Sequence, residues 1–458
     1  MKRWIIIFTL SLLLVVLIGS NAFATLARIY SLGNADYFYK DIYQIYRNPA
    51  WLGSYTNTVY GELGWYYTWM DEYEAPYDQA LGINYKIYKG LSLGLTLNRY
   101  VDWDADVFYH FWWIDGYGYF PEPINGYDLM ASYDFEKLHL GIGFYHAGNK
   151  ATVLQEASID DTTTGDEFGQ SVKWEGELTS GITSLTGGFV YDVDENKCIE
   201  GMFTLSFDRA KSHFNQTYTY YSDFWGDSYV ENWEETFKID GGNRMEFGAR
   251  AFWEVAENFQ IVPLVTFGTE SLKLDSTVSY SYNYDPGTIW DEAWDTSGTT
   301  GDVKQNYLII ALGGNLKLDK GMVAGGLSLY REKWTDETES EYTYEYTSTL
   351  MPGFNLGVEY ELTRWLTARV GMEKWFGRDE EKYDQDYWEP PYHYLGHTKY
   401  TDRYSEYPDD FIGVGFGFKF SKFKVDAFMG EQNLFRGGYI LSGQENNMFA
   451  NISAIFEF

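Results

Sequence analysis

The sequence predicts an all-β chain that closes into one transmembrane, antiparallel, up-and-down β-barrel. Three observations carry that expectation. Apolar and polar residues alternate with period two through most of the chain, connections alternate strictly between short and long, and the chain opens with an export leader.

Lys2 and Arg3 form a positive n-region, Ile5 to Ile18 an apolar h-region, and Ala22-Phe23-Ala24 a small-x-small cleavage site. Residues 1–24 are therefore expected to be removed after Ala24, leaving Thr25 as the first residue. No Cys follows the h-region, so a lipid anchor is not expected. Residues 25–56 precede the first clear strand. They are Tyr-rich and are expected to start on the periplasmic side, as a separate segment or a small plug in the barrel mouth. Residues 57–458 are expected to form the barrel.

Period two is plain in several runs. Leu91, Leu93, Leu95 and Leu97 alternate with Ser92, Gly94, Thr96 and Asn98. Phe203, Leu205 and Phe207 alternate with Thr204, Ser206 and Asp208. Ile412, Val414, Phe416, Phe418 and Phe420 alternate with Gly413, Gly415, Gly417 and Lys419. One face of each run suits lipid and the other a polar interior. Glycines on the second face are expected to relieve crowding inside.

Short turns are predicted near Lys89-Gly90, Glu136-Lys137, 194–197, Glu257-Asn258, 319–321, Thr363-Arg364 and Ser421-Lys422. Long polar segments lie between them, near 71–78, 103–125, 150–182, 211–240, 275–304, 332–350, 377–409 and 431–446. Tight periplasmic turns and long extracellular loops produce that pattern. The count is about sixteen strands, with about fourteen as the alternative. Tyr280, Tyr282 and Tyr284, and likewise Tyr342, Tyr344 and Tyr346, alternate with polar residues inside two of the long segments. There the strands are expected to continue above the membrane as hairpins. The 42 Tyr and 17 Trp are enough to furnish aromatic girdles at both membrane interfaces.

The net charge of −33 argues against a nucleic-acid partner, since phosphate binding needs a basic surface. Most of it falls in the long segments, which hold about four acidic residues for each basic one. The short turns carry Lys86, Lys89, Lys137, Lys197, Lys320, Arg364 and Lys422 instead. An acidic rim beside anionic lipopolysaccharide repels it unless divalent cations bridge the two, so cation association at the outer rim is expected, without a specific site. Asp102, Asp104 and Asp106 have the spacing that opens a Ca²⁺ loop but lack its Gly and its closing Glu, so they are only weak candidates. No other cofactor or metal site is expected.

Two stretches resemble known families. Met448, Ala450, Ile452, Ala454, Phe456 and Phe458 alternate to a terminal aromatic, which resembles the C-terminal signal of bacterial outer-membrane barrels. That resemblance implies an outer-membrane location in a Gram-negative cell and recognition of Phe456 and Phe458 by the barrel-assembly machinery. Asn48-Pro49-Ala50 resembles the N-terminal motif of the long-chain fatty-acid transporter family and of the related type IX secretion barrels. In those families the motif continues as Gly-Leu, whereas here it reads Trp51-Leu52. The resemblance implies that residues 25–56 form a hatch and that a hydrophobic ligand leaves through the barrel wall. A turn before the first strand also accounts for Asn-Pro.

No catalytic residue emerges. There is no Gly-x-Ser-x-Gly elbow, and the 6 His offer no triad by spacing. The best functional candidates are charged residues on the inward parity: Arg244, Glu246, Arg250 and Glu254 on one strand, Glu359 and Glu361 on another, Arg369 and Glu373 on the next. Two readings stand for them, a selective field at a constriction or buried ion pairs that stiffen a closed interior. The expected role is a porin-like or transporter-like conduit for small solutes in outer-membrane lipid. The alternatives are a closed structural or surface-binding (adhesion, glycan) barrel, and a fatty-acid-transporter-like carrier.

Overall fold

The computed structural model describes residues 25–64, 79–99, 123–161, 168–222, 227–239, 241–285, 292–339, 342–389, 393–404, 411–430 and 451–458. The leader, the candidates Asp102, Asp104 and Asp106, and residues 431–450 lie outside them.

Nineteen strand segments form one antiparallel sheet that closes on itself. In chain order they are β1 (Thr58–Gly64), β2 (Gln79–Tyr88), β3 (Leu91–Leu97), β4 (Ile124–Phe135), β5 (Leu138–Asp161), β6 (Phe168–Asp194) and β7 (Lys197–Ser222). Then follow β8 (Asp227–Ile239), β9 (Asn243–Ala256), β10 (Phe259–Asp285), β11 (Glu292–Leu318), β12 (Gly321–Glu339) and β13 (Tyr342–Glu361). The remainder are β14 (Leu366–Lys374), β15 (Gly377–Glu389), β16 (His393–Tyr404), β17 (Phe411–Phe420), β18 (Phe423–Gly430) and β19 (Asn451–Glu457).

Three pairs of segments are single strands with an interruption. β8 and β9 both lie between β7 and β10. β14 and β15 share the neighbour β13, and they pair on their other side with β17 and β16 in turn. The barrel therefore has sixteen strands, not fourteen. The breaks have local causes. Gly241 has φ +94° between β8 and β9. Between β14 and β15 the Trp375 ring fills the space where a Gly353 side chain would stand, and its Nε1 donates to Glu373 Oε1 at 2.8 Å.

Closure is made by β1 against β19, in register from Thr58↔Glu457 to Gly64↔Asn451. Phe458 adds one more rung, its N–H donating to Asn57 O at 3.0 Å, and its ring stacks on Tyr85. No backbone edge is left at the seam, which a lipid environment requires.

The burial pattern is inverted relative to a water-soluble protein. Leu63, Leu81, Ile142, Leu312 and Leu327 face outward, each more than half exposed, while Asn84, Thr96, Asp426 and Ser453 are fully buried inside. An apolar exterior around a polar interior is the arrangement of a membrane-spanning barrel. Tyr88, Phe135, Tyr191, Trp253, Trp365 and Phe458 are exposed close to the short turns and form the girdle expected at that interface. No described helix is long and apolar enough to cross a membrane.

The long segments differ from the loops predicted for most of them. β5, β6, β7, β10 and β11 run for 24 to 27 residues, and β12–β13 and β15–β16 likewise continue as hairpins. A membrane crossing uses about ten residues, so more than half of each longest strand projects beyond it. Alternating Thr and Tyr favour extended backbone, and cross-strand aromatic pairs hold the projection together. Tyr220 stacks on Tyr229 at 4.9 Å and Trp233 meets Tyr280 edge-on at 5.8 Å. The hairpins expected from the two Tyr alternations are β10–β11 and β12–β13.

Residues 25–57 do not join the wall. Helix α1 (Leu26–Ser31), a 3₁₀ turn (Ala35–Phe38), helix α2 (Gln44–Arg47) and a second 3₁₀ turn (Pro49–Tyr55) lie against its inner face. The segment touches β14, β17, β18 and β19 first, then β10 to β13, then β2 to β6, before entering β1. Leu32, Phe38, Ile42, Ile45 and Leu52 are essentially fully buried and make the apolar core of the molecule.

A belt of inward glycines makes room for it. A methyl group on Gly141 would stand 2.1 Å from Ala50 N, on Gly188 2.1 Å from Asn48 Oδ1, and on Gly371 2.1 Å from Gly33 N. Gly313 and Gly326 cradle the Phe38 ring, Gly357 meets the Leu32 carbonyl, and Gly415 meets Ser31. These glycines stand four to six residues from the short turns, so the belt lies in the half of the barrel nearest them. Gly141→Leu should push Pro49 and Ala50 off the wall at about 1–3 kcal/mol, the cost of overpacking. The expected result is a barrel that still migrates as a folded species on unheated gels but exposes Lys40 and Arg47 to trypsin.

Candidate functional site

Among the described residues, polar clusters sit inside the barrel, and two of them fasten the N-terminal segment to the wall. At α1, Arg28 gives Glu359 a two-pronged contact at 2.7 and 3.1 Å. Arg369 donates to the same carboxylate at 2.6 Å and to Asp426 Oδ1 at 2.7 Å. Arg28 also faces Asp41 at 3.8 Å and lies over the Tyr39 ring. All these groups are at least mostly buried, so each charge depends on its partners.

The second cluster centres on Glu200. Its carboxylate accepts from Arg250 Nε and from the indole N–H of Trp51. Arg250 in turn donates to the carbonyls of Asp36 and Tyr37 at 3.2 and 3.1 Å. Asn48 belongs here as well. Its amide donates to Phe189 O at 3.1 Å, while its Oδ1 accepts from Ala50 N–H at 3.2 Å and caps the second 3₁₀ turn. Pro49 is the first residue of that turn, where a missing N–H costs nothing. Asn48-Pro49-Ala50 thus makes a turn and docks on the wall through Gly141 and Gly188.

Two further clusters line a cavity of about 170 Å³ on the side of the segment away from the short turns. Ile45, Tyr46 and Pro49 of the segment form part of its lining. Arg99 and Asp128 make a two-pronged pair at 2.8 and 2.7 Å, and the guanidinium is sandwiched by Tyr46 and Tyr145 at 4.4 and 4.7 Å. Tyr46 OH reaches Tyr60 OH at 2.7 Å. Across the cavity Arg244 pairs with Glu270 at 3.2 Å, and Tyr307 donates to Glu246. Ser184, Thr186, Thr204 and Ser206 add hydroxyls between these charges.

The eight charged candidates therefore occupy three levels rather than one ring. Arg250 and Glu359 bind the N-terminal segment, as does Glu373, which accepts from Asn34 Nδ2, while Arg369 braces Glu359 from the wall. Arg244 and Glu246 line the cavity. Glu254 and Glu361 lie at the short-turn end, Glu254 beside Asp194 and Lys197 in a surface groove and Glu361 exposed. Sequence reasoning missed Glu200, Asp426, Arg99 and Asp128. The signal was available, because Glu200 and Asp128 share inward parity with Thr204 and Ser132, but a single charge on a strand does not announce its partner.

A second groove lies outside, on the lipid-facing side of β2 to β6, with a volume of about 580 Å³. Its walls are Ile83, Leu93, Leu129, Ile142 and Leu185, and its floor includes Met130, Gly143 and Phe144. The inner cavity is lined by the same Met130, Gly143 and Phe144. Gly94, Met130 and Gly143 are register neighbours, so one row of the wall here carries a glycine on either side of Met130.

Among the described residues, no group of three or more His, Cys, Asp or Glu is placed to hold a metal ion. Cys198 is buried in the interior core beside Trp51 and Phe252, within hydrogen-bonding reach of Lys40.

No family model and no curated protein sequence matches this chain. Among solved structures, it is similar to the Pseudomonas putida toluene transporter TodX, with 11% identity, 97% of this chain and 100% of that chain covered, and a TM-score of 0.36. It is similar to a Pseudomonas aeruginosa FadL homologue, with 10% identity, 96% and 99% covered, and a TM-score of 0.33. A third likeness is to the outer-membrane protease OmpT from Escherichia coli, with 10% identity, 70% and 97% covered, and a TM-score of 0.24.

Two outcomes follow from the clusters. Glu359→Gln leaves Arg28 and Arg369 short of a counter-charge and should destabilise the folded barrel by about 3–5 kcal/mol, read as an earlier loss of compact migration on heating. Burial pushes the Asp41 carboxyl up to about 7, against the opposing pull of Arg28. A carboxyl whose folded value is raised holds its proton more tightly when docked, so docking is strongest below about pH 4 and weakens as pH rises to about 7. Trypsin cleavage in residues 25–56 should rise over that window, and Asp41→Asn should flatten the dependence.

Proposed function

We propose that this protein is a conduit of the Gram-negative outer membrane, in which residues 25–56 act as a plug. The observation that carries the reading is the way the interior is filled. A sixteen-stranded ring is wide enough to enclose a lumen. Here the obstruction is a separate segment held by side-chain pairs, not the packed side chains of the strands themselves. Such a segment can shift without breaking any rung of the wall. Beyond it lies a cavity of mixed polarity, lined by the Arg99–Asp128 pair and by Arg244 and Glu246. That lining suits a small solute with hydrogen-bonding groups and an apolar or aromatic part, gripped by Tyr46 and Tyr145.

A second reading concerns the exit. The outer apolar groove and the inner cavity share Met130, Gly143 and Phe144. A hydrophobic ligand released toward lipid would cross the wall at this thin place, as the fatty-acid-transporter resemblance implies. In either reading the barrel-assembly machinery handles Phe458, and lipopolysaccharide with bridging divalent cations surrounds the acidic outer hairpins.

Liposome swelling and planar-bilayer conductance test the proposal. Full-length protein should admit small solutes slowly, and a variant lacking residues 26–47 should show large, stable conductance steps. No steps from that variant, in a barrel shown to be folded, would rule out a conduit. Gly143→Phe should reduce uptake of hydrophobic ligands while leaving polar solutes unaffected if the lateral exit is used. Deleting Phe458 removes a rung of the closing seam and should lower the amount of heat-modifiable barrel recovered from outer membranes.

A further inference from the structure

The leader cleavage site and the barrel interior meet at one residue. Thr25, which follows the expected cleavage after Ala24, is 1% exposed. Its hydroxyl donates to Asp426 Oδ2 at 3.1 Å, and the adjacent Leu26 N–H donates to Glu62 Oε1 at 3.3 Å. Both carboxylates are buried, Glu62 at 2% and Asp426 at 0%. Ala27 N–H donates to Ser453 Oγ at 3.3 Å, and Ser453 also contacts Glu62. Glu62 stands on β1, Asp426 on β18 and Ser453 on β19, so the start of the segment lies across the seam where the barrel closes.

We propose that the α-ammonium group of Thr25, created by removal of the leader, is a built-in cation that pairs with Glu62 and Asp426 and fastens the N-terminal segment to the closing seam. Hydrolysis of the Ala24–Thr25 peptide by a leader peptidase consumes one water. It leaves a carboxylate on Ala24 and an amine on Thr25, and that amine carries a proton at neutral pH. The Thr25 nitrogen is one residue from Leu26 N and three bonds from Thr25 Oγ1, so it lies close to the two atoms that contact these carboxylates. While the leader is attached, the same nitrogen is a neutral amide with one hydrogen to give. Once free it has three hydrogens and a positive charge. Export processing and interior locking are then one event: the lock cannot be completed by a chain that retains its leader.

The test uses the full barrel refolded in detergent in two forms. One begins at Thr25, released by a protease that leaves no extra residue, and the other carries a short Gly-Ser-Ala extension on the same nitrogen. The expected result is that the extension lowers the temperature at which compact migration is lost and speeds trypsin cleavage at Arg28 and Lys40 by about tenfold or more, as for a broken buried pair. Glu62→Gln should erase most of the difference between the forms. Asp426→Asn serves as the second variant, read by trypsin cleavage alone because Arg369 also depends on Asp426. Equal resistance of the free and extended forms overturns the proposal. So does a mature chain from outer membranes whose first residue, by mass, is other than Thr25. Both results are independent of any transport measurement.

Discussion

A ring of sixteen hydrogen-bonded strands satisfies its backbone but encloses more volume than its own side chains fill. That mismatch governs the rest of the molecule. The wall alternates strictly, because one face meets lipid and the other faces the enclosed space. Inward positions near the short turns are small, Gly141, Gly188, Gly313, Gly371 and Gly415 among them, and the space they leave is taken by residues 25–57. The apolar core expected of a folded chain is thus absent from the wall and appears where Phe38, Ile42, Ile45 and Leu52 come together inside. The glycines and the segment are one design, since either without the other leaves a void or a clash.

The means of attachment matters as much as the fit. An apolar segment in an apolar bore would be held by area alone and could slide. Here Glu359 takes two arginines from different elements, Arg28 and Arg369, and Glu200 takes Arg250 and Trp51. Buried pairs of this kind add little net stability over a hydrophobic equivalent but fix register, because a shifted segment leaves charges unpaired. The segment is therefore held in one position by groups that can also be weakened by changes in charge, and Asp41 is the member most exposed to that effect.

The barrel was readable because alternation and turn chemistry are local. The seven short turns, the aromatic girdle and the inward parity of Arg250, Glu359 and Arg369 all follow from neighbours within a few residues. The projecting hairpins were harder. Thr217 to Tyr221 and Glu231 to Glu235 read as polar loop by composition, and only β10–β11 and β12–β13 had an alternation regular enough to suggest strands. The interior contacts were not legible at all. Arg28 and Glu359 are 331 residues apart and Thr25 and Asp426 are 401 apart. No spacing rule reaches that far. Asn48-Pro49-Ala50 was legible as a turn, but three residues without periodicity carry no physical instruction about where they dock.

Those separations have a consequence for the order of folding. The segment is made first, yet its partners at Glu359, Glu373, Asp426 and Ser453 are supplied by the last third of the chain. Early contacts with β3 to β6 through Pro49 and Leu52 can form while much of the wall is still missing, but Arg28 lacks Glu359 until β13 is made, and Thr25 and Ala27 lack Asp426 and Ser453 until β18 and β19 arrive. Closing loops of that length is slow, so the α1 contacts belong to the final stage of assembly. A barrel short of its last hairpin would leave Thr25 and Ala27 without Asp426 and Ser453, and so leave the start of the segment loose. Residues 25–27 therefore find their last partners only when the final hairpin is in place, and an unfinished barrel differs from a finished one at that point.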